Sequence, residues 1–433
     1  MAEKFLIKGG LPLSGEVEIS GSKNEAGAIL AASLLAEECE IENFPLVSDI
    51  LEEIEILKEM GTEIEWLGPK KIKIKTGKID PAKIPVNLFE KMRISVLLIG
   101  PFLAKFQKFK VPHPGGDKIG LRPISTHLEA FKDFGVKIEE KEGFYHFEAP
   151  KNLEGKRIVL KEFSVTATEN LMMLASLMPG KTKIEIAATE SHVQNLGRFL
   201  EKMGVKIEGI GTHSLLIEGK EKLFGESFSI SPDPIEAGTF LIAFAITGGE
   251  GRIKNVKSED LIFFLEKMKE IGVKFEIQDN PEGLPPPEEG AYRTAEILVK
   301  PSKEFRATKI QVLPHPGFPT DLQPQTSVLL TQAQGKSLIH EPLYENRFQH
   351  LHELRKMGAD IEITDPHRAL IFGKTALLGN KINSADIRSG ATLILAGLVA
   401  KSQTTIENIT QIERGYEKIE EKLRKLGAEI EKV

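Results

Sequence analysis

A chain of 433 residues is longer than the roughly 250–300 at which single cores stop growing, so two domains of roughly 200 residues are expected. Its net charge of −6, with Lys and Arg scattered and not gathered in runs, argues against nucleic acid as the main partner, and 41% hydrophobic with 28% charged residues fits a soluble globular protein. No apolar stretch reaches the roughly 18 residues of a membrane span, Met1-Ala-Glu-Lys-Phe5 has no apolar export core, and a single cysteine, Cys39, excludes internal disulfides; no membrane partner and a cytoplasmic location are expected.

In chain order, alternating segments at 5–9 and 17–20 read as strands that must pair elsewhere. Helices with few polar breaks follow over 23–35, 89–105, 168–178, 236–247, 321–334 and 388–401. Stretches such as Ala28-Ile-Leu-Ala-Ala-Ser-Leu-Leu35 are apolar almost all round, which marks buried helices. Cys39 lies among Glu37, Glu38 and Glu40, whose charges should raise its thiol pKa, so it reads as structural. Between the buried helices come amphipathic ones, each closing on a glycine followed by alternating apolar and charged residues. The copies include Leu57-Lys-Glu-Met-Gly61-Thr-Glu-Ile64, Phe131-Lys-Asp-Phe-Gly135-Val-Lys-Ile138 and Leu423-Arg-Lys-Leu-Gly427-Ala-Glu-Ile430, with Gly204, Gly272 and Gly358 at the same place in three more. Such a glycine suits the left-handed residue that ends a helix.

Successive glycines are 74, 69, 68, 86 and 69 residues apart, which suits a small α/β unit used six times: strand, buried helix, strand, surface helix, strand. Three units per domain give a first domain over 22–231 and a second over 1–21 plus 232–433, closed by the N-terminal strands. The Pro- and Glu-rich stretch Pro281-Glu-Gly-Leu-Pro-Pro-Pro-Glu-Glu-Gly290 in the widest gap reads as an exposed insertion.

Chemistry is written where the buried helices begin. A helix N-terminus carries unpaired N–H groups and partial positive charge, so it can hold an anion. The entering residues are Gly21-Ser-Lys-Asn24, Lys91-Met-Arg93, Ser164-Val-Thr-Ala-Thr168, Asp233-Pro-Ile-Glu236, Phe318-Pro-Thr-Asp321 and Asp386-Ile-Arg388-Ser389. Any single polar residue here reads most simply as an N-cap. Cations make poor caps, however, and Lys23, Arg388 and Arg414 at such places imply a bound polyanion that offsets the repulsion.

These motifs, with Pro114-Gly-Gly-Asp-Lys-Ile-Gly-Leu-Arg-Pro123, Pro316-Gly-Phe-Pro-Thr-Asp-Leu-Gln323, Glu345-Asn-Arg-Phe348 and Arg414-Gly-Tyr-Glu417, resemble the UDP-N-acetylglucosamine enolpyruvyl transferase family from about residue 5 to the C-terminus. The resemblance implies an α/β fold of two inverse α/β barrel domains, each of three repeated units with buried helices. It also implies transfer of the enolpyruvyl group of phosphoenolpyruvate to the 3-hydroxyl of UDP-N-acetylglucosamine with release of phosphate, and no cofactor. By similarity Lys23, Arg93, Arg122 and Arg414, helped by Arg388, hold phosphoenolpyruvate, while Asn24 and Asp321 bind the sugar, Asp321 also being the candidate base. Ser164, Val165 and Thr166 match the diphosphate turn, Arg122, Pro123 and Ile124 the uridine wall, and Leu343 and Arg347 further substrate contacts.

Three positions depart from the family's pattern. Asp117 stands where most members carry cysteine, so the thiol-alkylating epoxide fosfomycin is expected to leave this protein active. Asp117 could serve as proton donor or assist phosphate departure. Ser125 replaces an aspartate beside the uracil, and Glu162 a lysine before the diphosphate turn, so another acceptor stands as an alternative, while the lost cysteine leaves an inactive ligand-binding homologue as a second one. The loop 112–122, with glycines at 115, 116 and 120, is expected to be mobile and to close over the substrates. His350 and His352, at i and i+2, point to different sides of a helix, and no other spacing suggests a metal. Glu169 and Asn170 read as structural anchors of their own unit's loop.

Overall fold

The computed structural model describes residues 3–279 and 294–433. The expected insertion at 281–290 lies outside the described residues. Two compact units emerge, one of Met1–Ser20, Lys118–Arg122 and Pro232–Val433 (unit 1), the other of Gly21–Asp117 and Pro123–Ser231 (unit 2). Each has its own apolar core.

The buried helices are α1 (Lys23–Ser33), α2 (Ile99–Lys105), α3 (Val165–Ser176), α4 (Pro234–Thr247), α5 (Gln323–Thr331) and α6 (Ile387–Val399). Four start on side-chain caps that satisfy orphan N–H groups: Ser22, Ser164, Asp233 and Asp386. Pro234 sits at the first turn of α4, where no N–H is needed, and Gly248 ends it in the left-handed conformation.

The second buried helix is not the continuous 89–105 that the apolar run suggested. Val86–Phe89 is a single turn, Ile94–Leu98 is 3-10, and only Ile99–Lys105 is α-helical. Ser95 Oγ hydrogen-bonds the carbonyls of Phe89 and Met92, drawing them off a helical ladder, and Pro101 has no N–H to continue one.

All six repeat glycines have positive φ, between 88° at Gly135 and 107° at Gly272. Each is followed by a strand, and in five of the units the next described strand pairs antiparallel with it, which adds one strand to the expected unit. Examples are Glu63–Gly68 with Lys71–Lys75 and Asp360–Asp365 with Arg368–Gly373. The alternation carries on through the turn, so two strands read as one. In the last unit Glu429–Lys432 finds its antiparallel partner in Phe5–Lys8, which also pairs with Gln403–Glu407.

Among the described residues there are six sheets, and five share one plan: the strand after the buried helix pairs in parallel with a strand ahead of a buried helix. Two of these outer strands are exchanged. Ser14–Glu18, ahead of α1, pairs with Glu250–Val256 in unit 1, whereas Ser227–Ser229, ahead of α4, pairs with Glu38–Glu42 in unit 2. The sixth sheet, of Lys108–Pro112, Phe144–Glu148 and Lys137–Lys141, has three strands and no parallel member.

Candidate active site

In unit 1 the heads of three buried helices meet. Asp321 lies in the 3-10 turn Thr320–Leu322 that leads into α5, and its carboxylate bridges two guanidiniums. Arg347 Nη2 donates to Oδ1 at 2.7 Å, while Arg388 Nε and Nη2 both reach Oδ2 at 2.9 Å. Both arginine side chains are at most 5% exposed, against 28% for Asp321, so the carboxylate is the open face of a buried charge cluster.

Burial works against the charge of Arg388, but Asp321, Tyr416 and Asp233, the cap of α4, hold its pKa above the ordinary arginine value. For Arg347 burial again opposes the charge, and Asp321, Asp386 and Glu341 outweigh it. Asp386 caps α6 through the N–H groups of Arg388 and Ser389. The Arg388 guanidinium carbon lies 5.5 Å from the Tyr416 ring centre, and Tyr416 Oη meets Thr239 of α4 at 3.0 Å and Gln325 of α5 at 2.9 Å. Glu341, fully buried, accepts from Thr320 Oγ1 and Leu343 N, tying the Asp321 turn to the half-exposed Leu343.

Arg414 corrects the sequence argument. It is the C-cap of Thr410–Glu413 and donates to Gln411 Oε1 at 2.7 Å; it is not at the head of the surface helix Ile419–Lys425. Lys23 and Arg388 do sit in first turns, but behind the caps Ser22 and Asp386, and with carboxylates of this chain against them. No outside anion is therefore required to offset helix-dipole repulsion. The surface helix starts behind Lys418 with no side-chain cap, so no capping residue marked its start in the sequence.

In unit 2, Lys23 Nζ meets Asp49 Oδ2 at 2.8 Å, with Asp49 nearly inaccessible in the first turn of Ser48–Glu59. Asn24 follows, half-buried. Glu53, one turn further along and fully buried, has its carboxyl pKa pushed well up by burial, despite Lys23. Arg93 donates to the carbonyl of Pro123 at 3.2 Å, next to Ile124, which precedes the helix Ser125–Asp133. His127 of that helix contacts Thr166 Oγ1 at 2.9 Å, and Thr126 donates to Glu162 Oε1 at 2.7 Å. The structure thus joins Arg93, Pro123 and Ile124 to Ser164, Val165 and Thr166 at the head of α3. Asn170 Nδ2 donates to Thr166 O at the head of its own helix and to Val96 O, and its Oδ1 accepts from Gly100 N, so it ties its own unit's helix head to the broken second helix.

The glycine loop divides between the units. Gly115 packs so closely on the carbonyl of Glu90 that a Cβ there would lie 1.8 Å from its oxygen, and half-buried Asp117 stays with unit 2. Lys118–Arg122 belongs to unit 1. There Leu121 N donates to Glu345 Oε1 at 2.6 Å, Asn346 Nδ2 to Lys118 O at 2.7 Å, and the Arg122 guanidinium stands 5.7 Å from the Tyr344 ring centre. A side chain at Gly120, at φ +148°, would collide with the Glu345 carboxylate.

Sequence reasoning missed Asp49, Glu341 and Tyr416 as partners of the cations. A first-turn aspartate looks like dipole compensation, and nothing local ties it to a lysine 26 positions earlier. His350 is buried against Ser327 Oγ at 3.0 Å, and Cys39 is buried, its pKa raised mainly by burial, with the neighbouring carboxylates secondary. Among the described residues no three His, Cys, Asp or Glu side chains are grouped to hold a metal ion, and no helix is long and apolar enough to cross a membrane.

Comparison with known proteins matches residues 7–423 to the family described as EPSP synthase (3-phosphoshikimate 1-carboxyvinyltransferase). A UDP-N-acetylglucosamine 1-carboxyvinyltransferase of Coxiella burnetii is 41% identical over 432 residues, covering 100% of this chain and 96% of that protein. UDP-N-acetylglucosamine 1-carboxyvinyltransferase 1 of Caldanaerobacter subterraneus subsp. tengcongensis is 43% identical and covers 99% of each chain. In fold, the enolpyruvyl transferase NikO from Streptomyces tendae superposes with a TM-score of 0.87 at 22% identity, covering 100% of this chain and 99% of that one. EPSP synthase from Acinetobacter baumannii gives 0.76 at 18% identity, covering 100% of both. Full-length identity above 40%, on two units built from the same repeated α/β element, places the chain in the EPSP synthase (enolpyruvyl transferase) family.

Proposed function

We propose that the protein is a UDP-N-acetylglucosamine 1-carboxyvinyltransferase, moving the enolpyruvyl group of phosphoenolpyruvate to the 3-hydroxyl of UDP-N-acetylglucosamine and releasing phosphate. The observation that carries this reading is the identity of 41–43% across the full length of relatives with that name. The product commits the sugar nucleotide to peptidoglycan, and the work is cytoplasmic.

The chemistry asks for cations around a phosphate and a carboxylate, and for one base. In the addition step the 3-hydroxyl oxygen bonds C2 of phosphoenolpyruvate, its proton passes to Asp321, and C3 gains a proton. In the elimination step C3 loses a proton, the C2–O bond to phosphate breaks, and the enol ether forms. Arg388 and Arg347 orient the Asp321 carboxylate, leaving its exposed side for the sugar hydroxyl. Lys23, Arg93, Arg122 and Arg414 supply positive charge for the substrates, which stabilises the charge that builds on the departing phosphate. Ser164, Val165 and Thr166 offer helix-head N–H groups to the diphosphate, with Pro123, Ile124 and Leu343 as walls. Asn24 binds the sugar.

Phosphate release measured with phosphoenolpyruvate plus UDP-N-acetylglucosamine tests the activity; release only with a different acceptor would overturn the acceptor assignment. The role of Asp117 has its own test. The protein is expected to keep its activity in fosfomycin, while Asp117→Cys becomes alkylated at that position. Asp117→Asn is expected to lose about a hundredfold or more in kcat, as removal of a proton-transfer group does. An unchanged rate in Asp117→Asn would remove the loop aspartate from the reaction.

A further inference from the structure

Glu53, in unit 2, is a buried acid that the proposed reaction leaves without a task. It lies on the helix Ser48–Glu59, which packs on α1 so that two levels match. At the first, Lys23 meets Asp49 at 2.8 Å; one turn further along both helices, Gly27 meets Glu53. A Cβ at Gly27 would lie 3.0 Å from Glu53 Oε2, so the glycine leaves room for Ile94 and for the carboxyl. Glu53 is 0% exposed, and neither of its oxygens has a hydrogen-bond partner among the described residues.

Three charged groups act on it: Lys23 from α1, Asp49 from its own helix and Glu169 from α3. The 3-10 segment Ile94–Leu98, packed on α1 at Gly27, brings none. Glu169 is itself buried, with Oε1 unbonded, Glu190 acting on it and His192 Nε2 at 4.0 Å. One ammonium thus stands among several carboxyls, and Asp49 already holds it. A carboxylate at position 53 would be buried with no donor and beside like charges, which is far costlier than burying the neutral acid. Burial, opposed by Lys23 and reinforced by Asp49 and Glu169, holds the Glu53 carboxyl well above the ordinary glutamate value. An apolar side chain would fill the place at less cost, which points to a use for the acid.

We propose that Glu53 is a positioning residue for Lys23: it stores a proton, and while uncharged it leaves the ammonium to Asp49 and to an anionic group of the substrate. Ionised, Glu53 is a second carboxylate on the same ammonium and competes with the substrate anion. The proton is exchanged with water, and no other bond changes. The positioning role rests on the proposed reaction; the stored proton does not.

Glu53→Gln, which keeps the shape of the neutral acid but cannot ionise, tests this in three ways on the full-length protein. At about pH 7 the infrared carbonyl absorption of protonated carboxylic acid is expected in the parent and to be reduced in the variant. Stability gives the second reading. A carboxyl raised on folding contributes fully below its unfolded value of 4.5 and loses that contribution as pH rises. Relative to the variant, the folding equilibrium constant of the parent should therefore fall about tenfold per pH unit between about pH 5 and 7. Third, KM for phosphoenolpyruvate between about pH 7 and 10 should rise about tenfold more in the parent than in the variant, as the store empties, the difference falling on KM and not on kcat. Glu53→Met, of similar volume, gives the same readings should Glu53→Gln melt early. An unchanged infrared absorption, parallel stability profiles or identical KM profiles would overturn the proposal. No turnover in the parent with any acceptor, while the absorption and the stability offset are both present, would strike the proposed reaction and leave the stored proton standing.

Discussion

The two units hold their cations in different ways. In unit 1, Arg347 and Arg388 share one carboxylate, Asp321, and all three tie together the heads of α5 and α6. In unit 2, Lys23 has its own carboxylate partner in Asp49, and Arg93 donates to a backbone carbonyl of the Pro123 turn. A shared, buried cluster fixes geometry but leaves an uncompensated charge when any member is removed. A cation on a backbone carbonyl can be lost at little structural cost. Positioning of the shared carboxylate is therefore concentrated in unit 1.

The largest effect is expected for Arg388→Ala, which strands the buried Asp321–Arg347 pair in a lopsided site. It should cost about 3–5 kcal/mol of stability, read by urea melts, with loss of phosphate release; an unchanged midpoint would show that the cluster does not brace the unit. Next comes a cycle in unit 2. Lys23→Ala should cost about 1–3 kcal/mol by leaving Asp49 buried without its partner. Lys23→Ala/Asp49→Asn should regain much of that stability but none of the activity; recovery of turnover would mean that Lys23 serves only Asp49.

One histidine in each unit gives a pH test. Burial first, and a neighbouring guanidinium second (Arg93 or Arg347), lowers the pKa of His127 and of His350 from 6.5 to about 3. Below about pH 6.5 the unfolded chain binds protons that the folded chain refuses, so stability is complete above that pH and falls on acidification. The slope is up to about 1.4 kcal/mol per pH unit for each histidine. His350→Asn should flatten the melting profile between about pH 6 and 4 by one such slope; an identical profile would mean the imidazole titrates normally. The smallest structural effect is expected for Arg93→Ala, within about 0.5 kcal/mol of the parent stability, with a raised KM for phosphoenolpyruvate. A large stability loss there would erase the contrast between the units.

The repeat was legible because each copy ends on a glycine that the backbone requires at positive φ. Buried helices were legible because few polar residues interrupt them. The exception, 89–105, failed because Ser95 and Pro101 act on hydrogen bonds that composition does not display. Site cations were readable from motifs at helix heads, though Arg414 was argued from the wrong helix end. What holds them was hidden, since Asp49, Glu341 and Tyr416 meet their partners through contacts that no local spacing encodes.

Phe5–Lys8 is clasped between Gln403–Glu407 and Glu429–Lys432, nearly the whole chain away in sequence. During synthesis that strand leaves the ribosome with no partner, and its place opens only after Gln403–Glu407 and Glu429–Lys432 have been made. Gly21–Ser231 meanwhile contains every strand its own sheets need, so it can consolidate while the rest is being made. Closing such a long loop is slow, which makes unit 1 the late and vulnerable half in biogenesis.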